Sequence, residues 1–158
     1  MTGFSSIRPR VGKIAMLATS VTAGVLADLA SKSVARSLFS IHDPIAVAPG
    51  FNFSLGFNRG IAFGLFPAES IFELYFMFAT QLLLLCGLLF MFFRVTHFLM
   101  RLFLASIIAG AFANFFDRML YGRVTDFIDL YIGDWHWPAF NLADIFICVG
   151  VIGLIITD

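Results

Sequence analysis

From Ser70 to Phe93 the chain reads SIFELYFMFATQLLLLCGLLFMFF, with Glu73 as its single charge. A helix rises about 1.5 Å per residue, so about 20 apolar residues cross the hydrocarbon core of a bilayer. A soluble helix would show one apolar stripe, and this run is apolar all round. Three more stretches share the character: Lys13 to Ala35, Phe98 to Phe116 and Pro138 to Thr157. Composition agrees, since 13% of the residues are charged and 60% hydrophobic, against about 25% charged in soluble domains. The expected fold class is a membrane all-α core of four transmembrane helices. The whole chain, 1–158, reads as a single integral membrane domain with approximate spans 13–35, 70–93, 98–116 and 138–157. The first span has a second reading as a signal peptide behind Arg8, Arg10 and Lys13. The charges Asp28 and Lys32 near its end speak against that reading. The chain ends at Asp158 without a basic tail, as a shortened one would.

Lys and Arg near the span ends set orientation. Arg8, Arg10, Lys13, Arg94 and Arg101 fall on one side, and Lys32, Arg36, Arg59, Arg118 and Arg123 on the other. The first group sits in much shorter segments, so its basic density is higher. Both termini are therefore expected in the cytoplasm. The acids then sort outward: all but Asp158 fall at or beyond the outer ends of the spans.

Between the first two spans, FNFSLGFN (Phe51–Asn58) alternates with period two, as a half-buried strand does. Asn58-Arg59-Gly60 reads as a turn, with Ile61 to Leu65 returning as a second strand. A small outer β-sheet over 44–66 is expected, its Phe51, Phe53 and Phe57 pressing on the membrane surface. Ser70-Ile71-Phe72-Glu73 fits a capping box, which gives Glu73 a structural role. Trp135-His136-Trp137 suits an interfacial belt. Cys86 and Cys148 read as buried thiols, with no metal-ligand spacing. A net charge of zero gives no sign of nucleic acid.

The chemistry rests on acids. Asp144 lies six residues into the last span, roughly 9 Å below Pro138. An ionisable group within a span is costly and marks function by default. Asp126 follows a turn at Tyr121-Gly122 and can face it. Two close carboxyls share one proton, so one acts as base and the other as acid. The structural alternative pairs each acid separately with Arg118 or Arg123, and spacing alone leaves both open. Asp28 and Lys32, four apart, read first as charge compensation along one helix face. A Ser/Lys pair among Ser31, Lys32 and Ser33 fails, because adjacent helical residues do not face each other. A Mg²⁺-dependent head-group transferase using Asp117, Asp126 and Asp129 is a second class, and a proton-coupled carrier a weaker third. Ser106, Gly110 and Asn114 recur every four residues, the spacing of close helix packing. Gly150 and Gly153 say less.

Four elements in order resemble the lipoprotein signal peptidase (signal peptidase II) family. DLASK (Asp28–Lys32) resembles its D-x-x-(T/S)-K element, and NRGIAFG (Asn58–Gly64) its N-x-G-x-A-F-G element. GAFANFFDRMLYGRVTDF (Gly110–Phe127) resembles its G-x-x-G-N-x-x-D-R…G-x-V-x-D-F block, and FNLAD (Phe140–Asp144) its F-N-x-A-D block. Ala113 departs from the glycine usual before Asn114. The resemblance implies an aspartyl endopeptidase of the bacterial inner membrane. It would cut diacylglyceryl-modified prolipoproteins just before the lipidated cysteine. Asp126 and Asp144 would be catalytic. Asn58, Gly60, Asn114, Asp117, Arg118 and Asn141 would line or brace the site, with Asp28 and Lys32 in support. No metal or other cofactor is implied. Membrane lipids and globomycin-type inhibitors are the implied partners beside the substrate, and a monomer suffices.

Overall fold

The structure, a computed structural model, describes residues 7–60 and 70–157. In chain order its elements are α1 (Ile7–Leu38), β1 (Ile45–Ala48), β2 (Phe51–Asn58), α2 (Ile71–Arg94), α3 (Phe98–Tyr121), β3 (Val124–Ile132), β4 (Trp135–His136) and α4 (Leu142–Thr157). Among the described residues three helices, Val11–Leu38, α2 and α3, are long and apolar enough to cross a membrane. The apolar α4 is shorter, at 16 residues.

The helices bury Asp28, Lys32, Asn114 and Asp117 and turn many large apolar side chains outward. Leu83 and Ile156 are 74% and 78% exposed, an arrangement suited to lipid and not to water. The same inversion corrects the reading of the cysteines. Cys86 and Cys148 are both exposed, because an apolar side chain on such a helix has no need to hide. The compact core lies where α2 meets α3, on Leu85, Phe92, Leu104, Ala105 and Ile108.

Helix ends follow local chemistry. Ser70 Oγ accepts the Glu73 N–H at 3.2 Å and Glu73 Oε2 accepts the Ser70 N–H at 2.9 Å, the reciprocal bonds of a capping box. At the far end of α2, Lys13 donates to the Phe93 carbonyl and Arg101 to those of Val95 and Thr96. These cations thus cover carbonyls left open where a helix stops. The helix α3 continues past Phe116 to Tyr121, because Asp117 and Arg118 are enclosed by protein. It ends on Gly122, in the left-handed region at φ 67°, where a side chain would be strained.

α3 and α4 approach closely. A Cβ on Gly110 would strike the Ala143 carbonyl oxygen, and Ser106 Oγ donates to the Phe146 carbonyl at 2.8 Å. Gly150 and Gly153 prove as constrained, since a Cβ on either would meet Ile107 or Phe103. Ala113, at the departure from the family pattern, is fully buried, so its methyl fits within the packing.

The sheet is larger than expected. Its order is β1-β2-β3-β4, with antiparallel pairing. The expected return strand at 61–65 lies outside the described residues. β2 pairs instead with β1 on one side and with β3, from beyond α3, on the other. Every residue of β2 is half-buried, so its sequence alternation does not become alternating exposure. Its phenylalanines contact other side chains with part of their surface: Phe53 stacks on Phe39 at 4.9 Å, and the Arg123 guanidinium lies 3.6 Å from the Phe57 ring centre.

Candidate active site

The sheet's third strand delivers the first acid. Thr125 N–H donates to Asp117 Oδ2 at 2.7 Å, and Arg36 bridges Asp117 Oδ1 and Thr125 Oγ1 at 3.1 and 2.8 Å. The chain leaving α3 is thereby clamped to α1 and α3. Asp126 follows, opposite Gly56 on β2, beside a bulge between Phe53 and Gly56. Leu55 lies within that bulge, and its N–H turns to the Ser40 carbonyl. Bulges of this kind often re-aim side chains near sites. On the other side of β3, Phe140 exchanges hydrogen bonds with Ile128. This short bridge occupies the residues expected to begin the last span, so α4 starts at Leu142.

Directly after that bridge comes Asn141, fully buried. Its Nδ2 donates to Asp126 Oδ1 at 2.7 Å. Its backbone N–H donates to Asp144 Oδ2 at 3.0 Å, and its Oδ1 accepts the Asp144 N–H at 3.1 Å. One asparagine therefore caps α4 and joins both acids. Asn114 of α3 donates to Asp144 Oδ1 at 2.8 Å.

Beneath this layer lies a buried ion cluster. Lys32, fully buried on α1, contacts Asp28 Oδ2 and Asn114 Oδ1, each at 2.7 Å, and lies 3.7 Å from Asp117 Oδ2. Asp28 Oδ1 accepts the Ala143 N–H at 2.9 Å. Asp28 thus satisfies an open amide at the head of α4 from another helix, besides compensating Lys32. Charges taken out of water need such full pairing.

A cavity of about 680 Å³ opens at this cluster. Asn58, Asn114, Arg118, Asp126 and Asp144 line its polar end. It continues along α4 past Cys148 to Ile152, facing Gln81 and Leu84 of α2. Arg118 donates to the Gly60 carbonyl at 2.7 Å, and Gly60 N–H returns to Asn58 Oδ1 at 2.8 Å. Burial pushes the Asp126 carboxyl up to about 7, helped by the charge of Asp144 and opposed by the Asn141 hydrogen bond and by Lys32 and Arg118.

Each residue expected at the site is therefore drawn to this end of the helices. The separate pairing of Asp126 and Asp144 with Arg118 or Arg123 is not what forms. Arg118 serves Gly60, Arg123 covers Phe57, and the acids are bound by asparagines. Asp129 points elsewhere, bound to Asn52 and His136 at 3.1 and 2.7 Å. It stands three residues from Asp126 on a strand, where odd spacing gives opposite faces. Arg36, Thr125 and Gln81 belong to the site or its frame and carry no signal by sequence spacing.

Apolar helices long enough to cross a bilayer, closed around two carboxyls joined by Asn141 at the polar end of a cavity, define a helical membrane protein with a buried acidic site. Residues 20–158 match the family described as Signal peptidase (SPase) II. The chain is 39% identical over 134 residues to a lipoprotein signal peptidase of Coxiella burnetii, covering 84% of this chain and 82% of that protein. It is 38% identical over 151 residues to one from a Janthinobacterium strain, covering 94% and 86%. It superposes on a bacterial membrane enzyme solved by the in meso method with a TM-score of 0.80, at 30% identity and over 91% of this chain and 87% of that one. The chain belongs to the signal peptidase II family. It is a peptidase that removes signal peptides from prolipoproteins.

Proposed function

We propose that Asp126 and Asp144 are the catalytic dyad of this peptidase. The observation that carries the reading is Asn141, which binds both carboxyls at the polar end of the cavity. One carboxylate takes a proton from water as its oxygen attacks the scissile carbonyl. The other, protonated, donates to the carbonyl oxygen. A carboxyl raised to about 7 holds that proton near neutral pH. Asn114 and Asn141 orient the pair. Asp28, Lys32 and Asp117 brace it, and Arg118 holds the turn at Asn58 and Gly60 over it.

The chain crosses the membrane four times with both termini in the cytoplasm, and the sheet rests on the outer surface. The short α4 suits this, because its head is set below the surface by the sheet and by Asp28. The substrate is a prolipoprotein whose cysteine already carries diacylglycerol, and the cut falls just before that cysteine. The apolar cavity beside the dyad suits the lipid-borne segment around the cut, and globomycin-type inhibitors would occupy the same space. A monomer embedded in lipid is sufficient.

The test is cleavage of a diacylglyceryl-modified prolipoprotein in detergent containing EDTA. Wild type cuts before the lipidated cysteine, and Asp126→Asn and Asp144→Asn, both folded, do not. Cleavage by either variant refutes the dyad. Restoration by Mg²⁺ after chelation refutes a metal-free mechanism.

A further inference from the structure

The hydrogen bonds around the dyad are not symmetric, and the asymmetry begins at Lys32. An ammonium has only donors. Lys32 lies 2.7 Å from an Asn114 amide oxygen, so that oxygen must face it. The Asn114 amide is thereby fixed with its NH₂ toward Asp144 Oδ1, at 2.8 Å. Asp144 Oδ2 receives the Asn141 backbone N–H at 3.0 Å. Both oxygens of Asp144 accept from N–H groups, and its place in the first turn of α4 adds the positive end of the helix dipole. Acceptance on both oxygens beside a helix N-terminus is the setting of an acceptor-only, ionised carboxylate.

Asp126 is treated differently. Its Oδ1 receives the Asn141 Nδ2 at 2.7 Å. That amide cannot turn over, because its Oδ1 is engaged by the Asp144 N–H. No donor among the described residues reaches Asp126 Oδ2, which is left to carry hydrogen. Opposite it on β2 stands Gly56, which brings no charge. Arg118 of α3 acts on both acids and so does not choose between them. On α1, Lys32 is paired with Asp28, and its charge opposes a proton on Asp126 less than burial favours one; on α3, Asp117 is spent on Arg36. The burial that raises Asp126 points the same way.

We infer that Lys32, acting through Asn114 as a positioning residue, fixes Asp144 as the charged member of the pair and leaves the proton on Asp126. This rests on the dyad proposed above. Asp144 takes a proton as water oxygen bonds to the carbonyl carbon, and the Asp126 proton passes to the carbonyl oxygen. The resulting diol collapses as Asp144 returns its proton to the leaving nitrogen. The C–N bond breaks, and one diol proton goes back to Asp126. Both acids end as they began.

Infrared difference spectra of the detergent-purified full chain across a pH titration read the protonated carboxyl directly. One carboxylic-acid band near neutral pH is expected in wild type, absent in Asp126→Asn and retained in Asp144→Asn. Loss in Asp144→Asn, or loss in neither variant, overturns the assignment. Cleavage assays on the same samples keep the two readings apart: an active variant refutes the dyad itself, whatever the spectra show. The role of Lys32 is read in the double variant Asp28→Asn/Lys32→Met, which stays neutral and keeps an acceptor for the Ala143 N–H. Its kcat should fall about tenfold, the worth of one hydrogen bond to a charged group. KM should stay within about twofold, and the acidic limb of the rate profile should move to higher pH. A folded double variant with an unmoved acidic limb shows Lys32 to be structural only and overturns its part.

Discussion

Asn141 and Asp144 close a reciprocal pair of hydrogen bonds, backbone N–H to Oδ2 at 3.0 Å and Oδ1 to backbone N–H at 3.1 Å. The proposed catalytic acid is therefore also the capping-box residue of its own helix. Its geometry is set by the same bonds that start α4. Asn141→Ala removes the cap and the donor to Asp126 together. It should lower kcat by about a hundredfold, the usual cost of a misplaced reacting group, with a smaller loss of thermal stability from the cap. Steady-state kinetics beside a thermal melt would show this. Equal kcat in a folded variant would separate the cap from catalysis.

The raised Asp126 has a consequence for stability. Its carboxyl titrates at about 7 in the folded protein against 3.8 for the free side chain. The native state therefore binds more protons than the unfolded chain between those values. Stability from this group is complete below about 3.8 and falls as pH rises through about 7. Asp126→Asn cannot ionise, so it should melt higher than wild type at pH 8 while converging with it in acid. The gap at alkaline pH should be on the order of a few kcal/mol at most. Melting curves in one detergent across pH would decide it.

Asp117 accepts from Thr125 and Arg36 and stands by Lys32. Asp117→Ala leaves two buried or half-buried cations short of charge and frees the start of β3. Breaking such a cluster by removing one partner costs about 3–5 kcal/mol. The variant should lose most of its folded yield, and what folds should cleave poorly. A melt within a degree or two of wild type would contradict this account of the strand.

Gly110 faces the Ala143 carbonyl with no room for a methyl, whereas nothing lies within 4 Å of a Cβ on Gly87. Gly110→Ala should force α3 and α4 apart at the residue preceding Asp144, costing about 1–3 kcal/mol and much of the activity. Gly87→Ala should be neutral or gain up to about 1 kcal/mol from helix propensity. The two variants differ only in place, so equal behaviour would refute the close-approach argument.

Much of the candidate site was legible because its parts are charged residues where charge is costly. Asp28, Lys32, Asp117 and Asp144 stand out in apolar helices, and their burial in one cluster follows from that cost. A capping box gives Glu73 a structural role. Asp144 has the same local geometry, so a cap does not argue against catalysis. The cavity, the α4 head and the larger sheet separate the two. β3 was not legible as a strand. Val124 to Ile132 mixes two acids with apolar residues, and its pairing to β2 depends on a partner more than 60 residues away. Cys86 and Cys148 lie exposed where their apolar surroundings suggest buried thiols, because the outside of this chain is itself apolar.

The sequence by itself determined a membrane class, the long apolar helical runs and which acids stand within or beside them. Each follows from a local cost: apolar length against bilayer thickness, and charge against low dielectric. Only the tertiary structure decided what each polar group binds. Asn141 meets both acids because Phe140 bridges to β3. Asn114 turns its NH₂ to Asp144 because a lysine 82 residues earlier occupies its oxygen. Such choices are made by donor and acceptor geometry across distant segments, which neither periodicity nor spacing encodes.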